Sequence, residues 1–326
     1  MIPIQLSELL RVLVFLLSIA VVYLLAFIFG IRILFERIRR EPPPPPGSDR
    51  FARWIFRLAA LGILCFAYAL FIEPYWPDVT HVRLSSPKMA PGTGPIRIVH
   101  ISDLHCDPKP RLEERLPTLI AAQKPDLIVF TGDSVNSPSG IPILKKCMTR
   151  LSQMTPTFAV RGNWDTWFWL NRDLFGGTGA RELNGEPVKL EVKGVSVWII
   201  GVAIGDEERI DKAFQQVPPD AVTLFLYHYP DAIYEIAKRK VDLYCAGHTH
   251  GGQVALPFYG ALVTFSKFGK RFEGGVYRVD QTWLSVNRGI GMEGNWAPRV
   301  RFCARPQITV IDLVPLRENA GGDGRR

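Results

Sequence analysis

Three pieces of one stretch decide the fold: Ile96–Pro108 reads IRIVHISDLHCDP, Leu127–Ser137 reads LIVFTGDSVNS and Phe158–Asp165 reads FAVRGNWD. Each is an apolar run rich in β-branched residues that stops at a small polar turn. That is the pattern of a buried parallel strand delivering side chains at its C-terminal end. The turns carry Asp103 and His105, then Asp133, then Asn163 and Asp165, hard or borderline donors suited to a divalent metal. Two later turns add His228 in LFLYHYP and the pair His248 and His250 in LYCAGHTHGGQ, so four of the six histidines follow strand-like runs. A lone DxH or GD carries little information. Five ordered pieces, each ending a strand, point to one metal cluster.

The 326 residues leave room for one large domain and a smaller part. Hydrophobic residues make up 47%, concentrated in the N-terminal quarter, which separates a membrane part from a globular part. The net charge of +8 comes mostly from the globular part: eight basic and six acidic residues precede His81, against 31 and 25 from there on. Such an excess favours anionic partners, phosphorylated substrates or acidic headgroups. It is diffuse, without the dense basic tract of a nucleic-acid binder, and no protein partner is expected. The five cysteines, Cys65, Cys106, Cys147, Cys245 and Cys303, show no CxxC or zinc-ribbon spacing.

Residues 1–35 read as a first transmembrane helix. Arg11–Leu34 holds about twenty apolar residues, enough to cross a hydrocarbon core of about 30 Å. A cleaved signal would be shorter and end in a small-residue site. Residues 36–50, with five consecutive prolines, form a stiff extended linker. Residues 51–77 read as a second membrane helix closed by Tyr75 and Trp76. Arg32, Arg37, Arg39, Arg40, Arg50, Arg53 and Arg57 flank the linker, whereas only Arg11 precedes the first span. This asymmetry puts the linker in the cytoplasm and the globular domain outside a two-pass inner membrane protein.

Residues 78–95 read as a connector, 96–316 as the catalytic domain and 317–326 as a disordered tail. Within the domain, periodicity predicts helices over 111–122, 141–152, 207–216 and 232–239. Strands are expected over 126–130, 157–160, 222–227 and 241–245, with a hairpin of 188–192 and 195–202 turning at Lys193-Gly194. The end, over 275–286 and 308–313, is strand-rich. Alternation first and hairpins later predicts two packed sheets flanked by helices.

The order DLH, GD, GN, H and GHTH resembles the calcineurin-like metallophosphoesterase superfamily. GHTHGGQ, a downstream RGIG and the basic segment before RPQITVIDL are similar to its membrane-anchored bacterial branch. The resemblance implies a four-layer αββα sandwich with metals at the strand ends, here preceded by two transmembrane helices. It also implies that Asp103, His105, Asp133 and His250 hold one metal. Asp133, Asn163, His228 and His248 would hold the other, with Asp133 bridging. Asp133, Asn163 and Asp165 are the expected catalytic residues. The mixed nitrogen and oxygen set, free of thiolate, suits Mn²⁺, Fe or Zn²⁺.

One position departs from the family. Many members read GNHD or GNHE where this chain has Gly162-Asn163-Trp164-Asp165, and the missing histidine is credited with protonating the leaving oxygen. An indole cannot do so. The departure favours a phosphoanhydride or activated ester, whose leaving group departs as an anion, over an alkyl monoester, unless Trp164 merely packs beneath Asn163 and another residue supplies the proton. Trp164, Trp167, Phe168 and Trp169 form either core or a platform for acyl chains, and Arg288 in NRGIG is the candidate phosphate-contacting arginine.

The expected function is hydrolysis of a lipid-linked phosphate, with UDP-2,3-diacylglucosamine of lipid A assembly, implied by the resemblance, as best candidate. UDP-linked lipids are made on the cytoplasmic face, which conflicts with the arginine count. The rival is an extracytoplasmic phosphodiesterase or phosphatase acting on cell-envelope phospholipids or polyprenyl pyrophosphates. A non-catalytic adaptor would lack metal donors, and this chain lacks none.

Overall fold

A computed structural model describes residues 5–40, 47, 49–294 and 298–316. The five prolines and the tail at 317–326 lie outside the described residues. Two long helices come first, α1 (Leu6–Ile38) and α2 (Arg50–Phe71), followed by a 3₁₀ turn at Glu73–Tyr75. They pack side by side and antiparallel: the Tyr23 hydroxyl donates to the Ala59 carbonyl at 3.1 Å, and Phe29 meets Phe51 edge-on with centroids 5.8 Å apart. Small and branched residues, Ala52, Ile55 and Ala59, line the buried face of α2. The other faces stay apolar and open, Leu17 at 64% exposure and Leu64 at 67%. Both helices are long and apolar enough to cross a membrane.

The first sheet holds β1 (Asp78–Ser86), β2 (Ile96–Ile101), β3 (Leu127–Phe130), β4 (Thr157–Ala159) and β5 (Arg181–Glu182). The second holds β6 (Val188–Val192), β7 (Val195–Gly201), β8 (Val222–Leu226) and β9 (Leu243–Ala246). A small hairpin, β10 (Ala255–Leu256) with β11 (Gly260–Ala261), stands apart. The second sheet also takes β12 (Gly275–Val279) and β13 (Thr282–Val286), and β14 (Gln307–Pro315) returns to the first. The resulting orders are β1-β14-β2-β3-β4-β5 and β12-β13-β9-β8-β7-β6. As expected, β2, β3 and β4 run parallel, and β6 and β7 form the hairpin.

Alternation along the strands splits each sheet into two apolar faces. Ile96, Ile98, Leu127 and Val129 meet Val197, Ile199, Leu224 and Leu243 between the sheets. The outer face of the first sheet, with Val99, Ile101 and Phe130, is covered by α3 (Leu116–Ala121) and α4 (Ile141–Ser152). The outer face of the second, with Phe225 and Tyr244, is covered by α6 (Arg209–Phe214) and α7 (Ile233–Ala237), while α5 (Asn163–Trp169) follows β4. The four layers are αββα.

Two expectations change. Residues 78–95 do more than connect, because β1 pairs in parallel with β14 along its whole length, from Asp78 opposite Gln307 to Ser86 opposite Pro315. Helix α3 begins at Leu116 rather than at Arg111. Pro117 suits the first helical turn, and the Glu113 carboxylate instead folds back onto the Arg111 amide.

Candidate metal centre

The donor side chains stand on the turns that follow β2, β3, β4, β8 and β9, so both sheets deliver them to one place. Asp103, His105, Asp133, His248 and His250 all have left-handed backbone, with φ from 41° to 73°. For residues other than glycine this costs roughly 1–2 kcal/mol each and persists only where the surroundings over-determine it. Glycines let the turns touch. A Cβ at Gly162 would lie 2.2 Å from Asp133 Oδ1, and one at Gly247 would lie 2.3 Å from Asp103 Oδ2.

Six of the seven expected donors are buried, and His248 is half-buried. Asp103, His105 and His250 form one cluster of potential ligand atoms, and Asp103, Asp133 and His228 a second. Asp133 Oδ2 lies 3.6 Å from His105 Nε2 and 3.3 Å from His228 Nε2, between imidazoles of the two clusters. Asp103 Oδ1 lies 3.3 Å from His250 Nε2 and 3.8 Å from His228 Nε2. His248 sits beside His228, ring centroids 5.3 Å apart.

Hydrogen bonds on the far side of three rings set which nitrogen faces inward. His105 Nδ1–H donates to Asn136 Oδ1 at 3.0 Å, and His228 Nδ1–H to the Thr131 carbonyl at 2.6 Å, so each turns its Nε2 inward. His248 is reversed: Nε2–H donates to the Phe265 carbonyl at 3.2 Å and leaves Nδ1 free. His105 Nε2 and His250 Nε2 face each other at 3.2 Å. His228 Nε2 and Asn163 Oδ1 are buried without a hydrogen-bond partner among the described residues. A facing pair of imidazole nitrogens, together with two buried polar atoms that have no hydrogen-bond partner among the described residues, fits cations beside the two carboxylates.

Electrostatics agree with a negative cluster that attracts cations. Burial disfavours the Asp103 carboxylate, but His250 and His228 hold its pKa well below the usual range. Burial would lower the pKa of His228, yet Asp133 and Asp103 push it up to about 9.

Two of the expected site residues are held by other partners. Asp165 does not face the donors. Its oxygens accept from the Ser134 amide at 2.9 Å, the Ser134 hydroxyl at 3.1 Å and the Gly162 amide at 3.0 Å, bracing two ligand turns. Burial, then the neighbouring Asp133, raises its pKa to about 7. Arg288 is engaged elsewhere, its guanidinium bonded to Asp78 at the start of β1 at 2.8 Å. Trp164 is buried; its amide donates to Asp133 Oδ1 at 2.8 Å and its ring meets His105 edge-on at 5.3 Å. Trp167 and Phe168 point outward at 40% and 50% exposure.

Sequence reasoning missed Asn136, which also donates to the His105 carbonyl at 3.0 Å and the Met292 carbonyl at 3.1 Å. Nor does the sequence single out Arg301, whose side chain is fully buried with its Nη2 3.4 Å from His250 Nδ1. Glu293 was also missed. Burial, with Asp133 nearby, lifts its pKa, while His250 and Trp164 act against that rise.

A four-layer αββα sandwich with such a cage at its strand ends has the architecture of a metal-dependent hydrolase. Residues 96–252 match the calcineurin-like phosphoesterase model. The uncharacterized metallophosphoesterase YkuE of Bacillus subtilis is 30% identical over 289 residues, covering 81% of this chain and 96% of its own. The UDP-2,3-diacylglucosamine pyrophosphatase LpxG of Chlamydia trachomatis is 25% identical over 318 residues, covering 78% and 94%. The phosphodiesterase YaeI of Escherichia coli is 28% identical over 266 residues, covering 76% and 93%. The chain belongs to the calcineurin-like phosphoesterase family, and it is a hydrolase that uses divalent metal.

Proposed function

We propose that this protein is a membrane-anchored phosphoesterase holding two divalent cations, and that it cleaves a phosphoanhydride or activated phosphodiester in a lipid-linked substrate. UDP-2,3-diacylglucosamine is the best candidate. One observation carries the lipid reading: the loops beside the donors rest on the base of the apolar helix pair, where Tyr68 of α2 meets Phe302 edge-on at 6.3 Å. A substrate held by its acyl chains in a bilayer would present its phosphate at that level. The name of LpxG supports the candidate substrate.

Asp103, His105, Asp133 and His250 would hold one cation, and Asp133, Asn163, His228 and His248 the other. Bound there, Mn²⁺, Fe or Zn²⁺ supplies Lewis-acid activation of water and neutralises phosphoryl charge. Asn136 and the Thr131 carbonyl keep the His105 and His228 rings in register. Trp164 closes one wall without offering a titrating proton. Leaving groups that depart as stable anions are therefore favoured.

A second reading has its own observation. The arginines around the linker favour an extracytoplasmic domain, which would act on envelope phospholipids or polyprenyl pyrophosphates. Lipid analysis of a deletion strain tests both. Accumulated UDP-2,3-diacylglucosamine supports the first reading; an accumulated phospholipid or polyprenyl pyrophosphate supports the second; an unchanged lipid profile rejects both.

A further inference from the structure

Each histidine of the GHTH motif is approached by a different helix of the apolar pair. On the first route, Glu8 in the first turn of α1 is 1% exposed. Its Oε1 accepts from the Thr264 amide and the Thr264 hydroxyl, both at 3.0 Å. Gln5, the residue before α1, donates to the Ser266 carbonyl at 3.3 Å and the Lys267 carbonyl at 3.0 Å. Between these two grips lies Phe265, with a left-handed φ of 53°. Its carbonyl is the acceptor that orients His248.

On the second route, Glu73 just beyond α2 is also 1% exposed. Its oxygens accept from the Ala304 amide at 2.6 Å and the Cys303 amide at 2.9 Å. The Ala69 carbonyl near the end of α2 accepts from the Arg301 amide at 3.0 Å. The buried Arg301 guanidinium donates to the carbonyls of Gly291, Ala304 and Arg288 and lies against His250. A helix pair that only tethered a domain would need neither buried carboxylate, since burying one is costly unless its bonds are specific.

We infer that the apolar helix pair is a built-in part of the metal centre: Glu8 positions His248 through the Phe265 carbonyl, and Glu73 positions His250 through the Arg301 segment. Cation affinity then depends on the docked helices, whichever ester is cleaved. The inference rests on His248 and His250 being ligands. Partners behind a ligating histidine carry roughly 10- to 100-fold in metal affinity.

The test uses the full chain in detergent, stripped of metal and titrated with Mn²⁺, with free Mn²⁺ followed by electron paramagnetic resonance. Thermal unfolding of each metal-free variant is measured in parallel. Glu8→Ala is expected to weaken one Mn²⁺ equivalent at least tenfold, and Glu73→Ala the other. Glu8→Gln, which keeps the acceptor oxygen, should recover most of the loss. Tyr23→Phe, which cuts only the bond between the helices, should bind like the unmodified chain. Should Glu8→Ala not fold, Gln5→Ala carries the same test and is expected to weaken one equivalent measurably. Variants that unfold at lower temperature yet bind both equivalents normally would overturn the inference. An unmodified chain that binds no Mn²⁺ would overturn the ligand assignment with it.

Discussion

His105 Nε2 and His250 Nε2 stand 3.2 Å apart in the buried cage, and the Nδ1–H of His105 is already committed to Asn136. That contact needs either the proton of His250 Nε2 or a cation between the rings, and the proposed ligand set puts a cation there. Chelation should therefore lower the unfolding temperature, and Mn²⁺ should restore it. A cation at a hundred times its Kd stabilises the native state by about 2.7 kcal/mol. Calorimetry with and without chelator reads this directly, and an unchanged Tm would contradict a metal-holding cage.

Gly247 separates the second sheet from the Asp103 turn. A Cβ there would lie 2.0 Å from Ser102 Oγ and 2.3 Å from Asp103 Oδ2, so Gly247→Ala must displace the carboxylate. A misplacement of about 1 Å at a reacting centre costs roughly 10²-fold in rate. Gly194→Ala is the control: φ is +80° but no atom lies within 4 Å. It should cost about 1 kcal/mol of stability and no activity. Activity assays beside thermal unfolding separate the two effects.

Trp164 lies where many family members carry a histidine credited with proton donation, and its ring packs against His105. Across aryl phosphodiesters the rate should climb steeply with leaving-group acidity. Trp164→His should flatten that slope by raising the rates of poor leaving groups, by up to roughly 10²-fold. A flat series for the unmodified chain would show that another residue supplies the proton. Glu293, close to Trp164 and Asp133, is then the first residue to replace.

The ligand-bearing strands were legible because β2, β3 and β4 are short, largely apolar and almost wholly buried runs, each closed by a polar turn, as central parallel strands are. Strand β1 was not legible. DVTHVRLSS alternates weakly at a sheet edge, and its partner β14 begins 229 positions later, at Gln307 opposite Asp78. The donors themselves could be read from residue type and order. Asp165 could not be told from a donor by type, because only folding shows its oxygens turned to Ser134 and Gly162. Arg288 and Arg301 look alike in sequence, and the burial that separates them comes from loops meeting across the fold.

The helix pair has its connecting segment at one end and the catalytic domain at the other. If the arginine asymmetry sets the orientation, a cysteine at Asp49, in a chain whose Cys65 and Cys303 are replaced, should resist membrane-impermeant thiol reagents in intact cells and react after lysis. Labelling of intact cells would reverse the orientation and remove the conflict with a cytoplasmic UDP-linked lipid.

Asp133 Oδ2 lies within 3.6 Å of imidazoles from both clusters, as Asp103 Oδ1 lies within 3.8 Å of His250 and His228, and the proposed bridging role falls to Asp133. Metal content per chain, measured by mass spectrometry on the unmodified protein and on Asp133→Asn, tests this most directly. Two cations in the first, a marked loss from both positions in the second and abolished turnover are the predicted result. An Asp133→Asn protein that keeps two cations and its activity would contradict it.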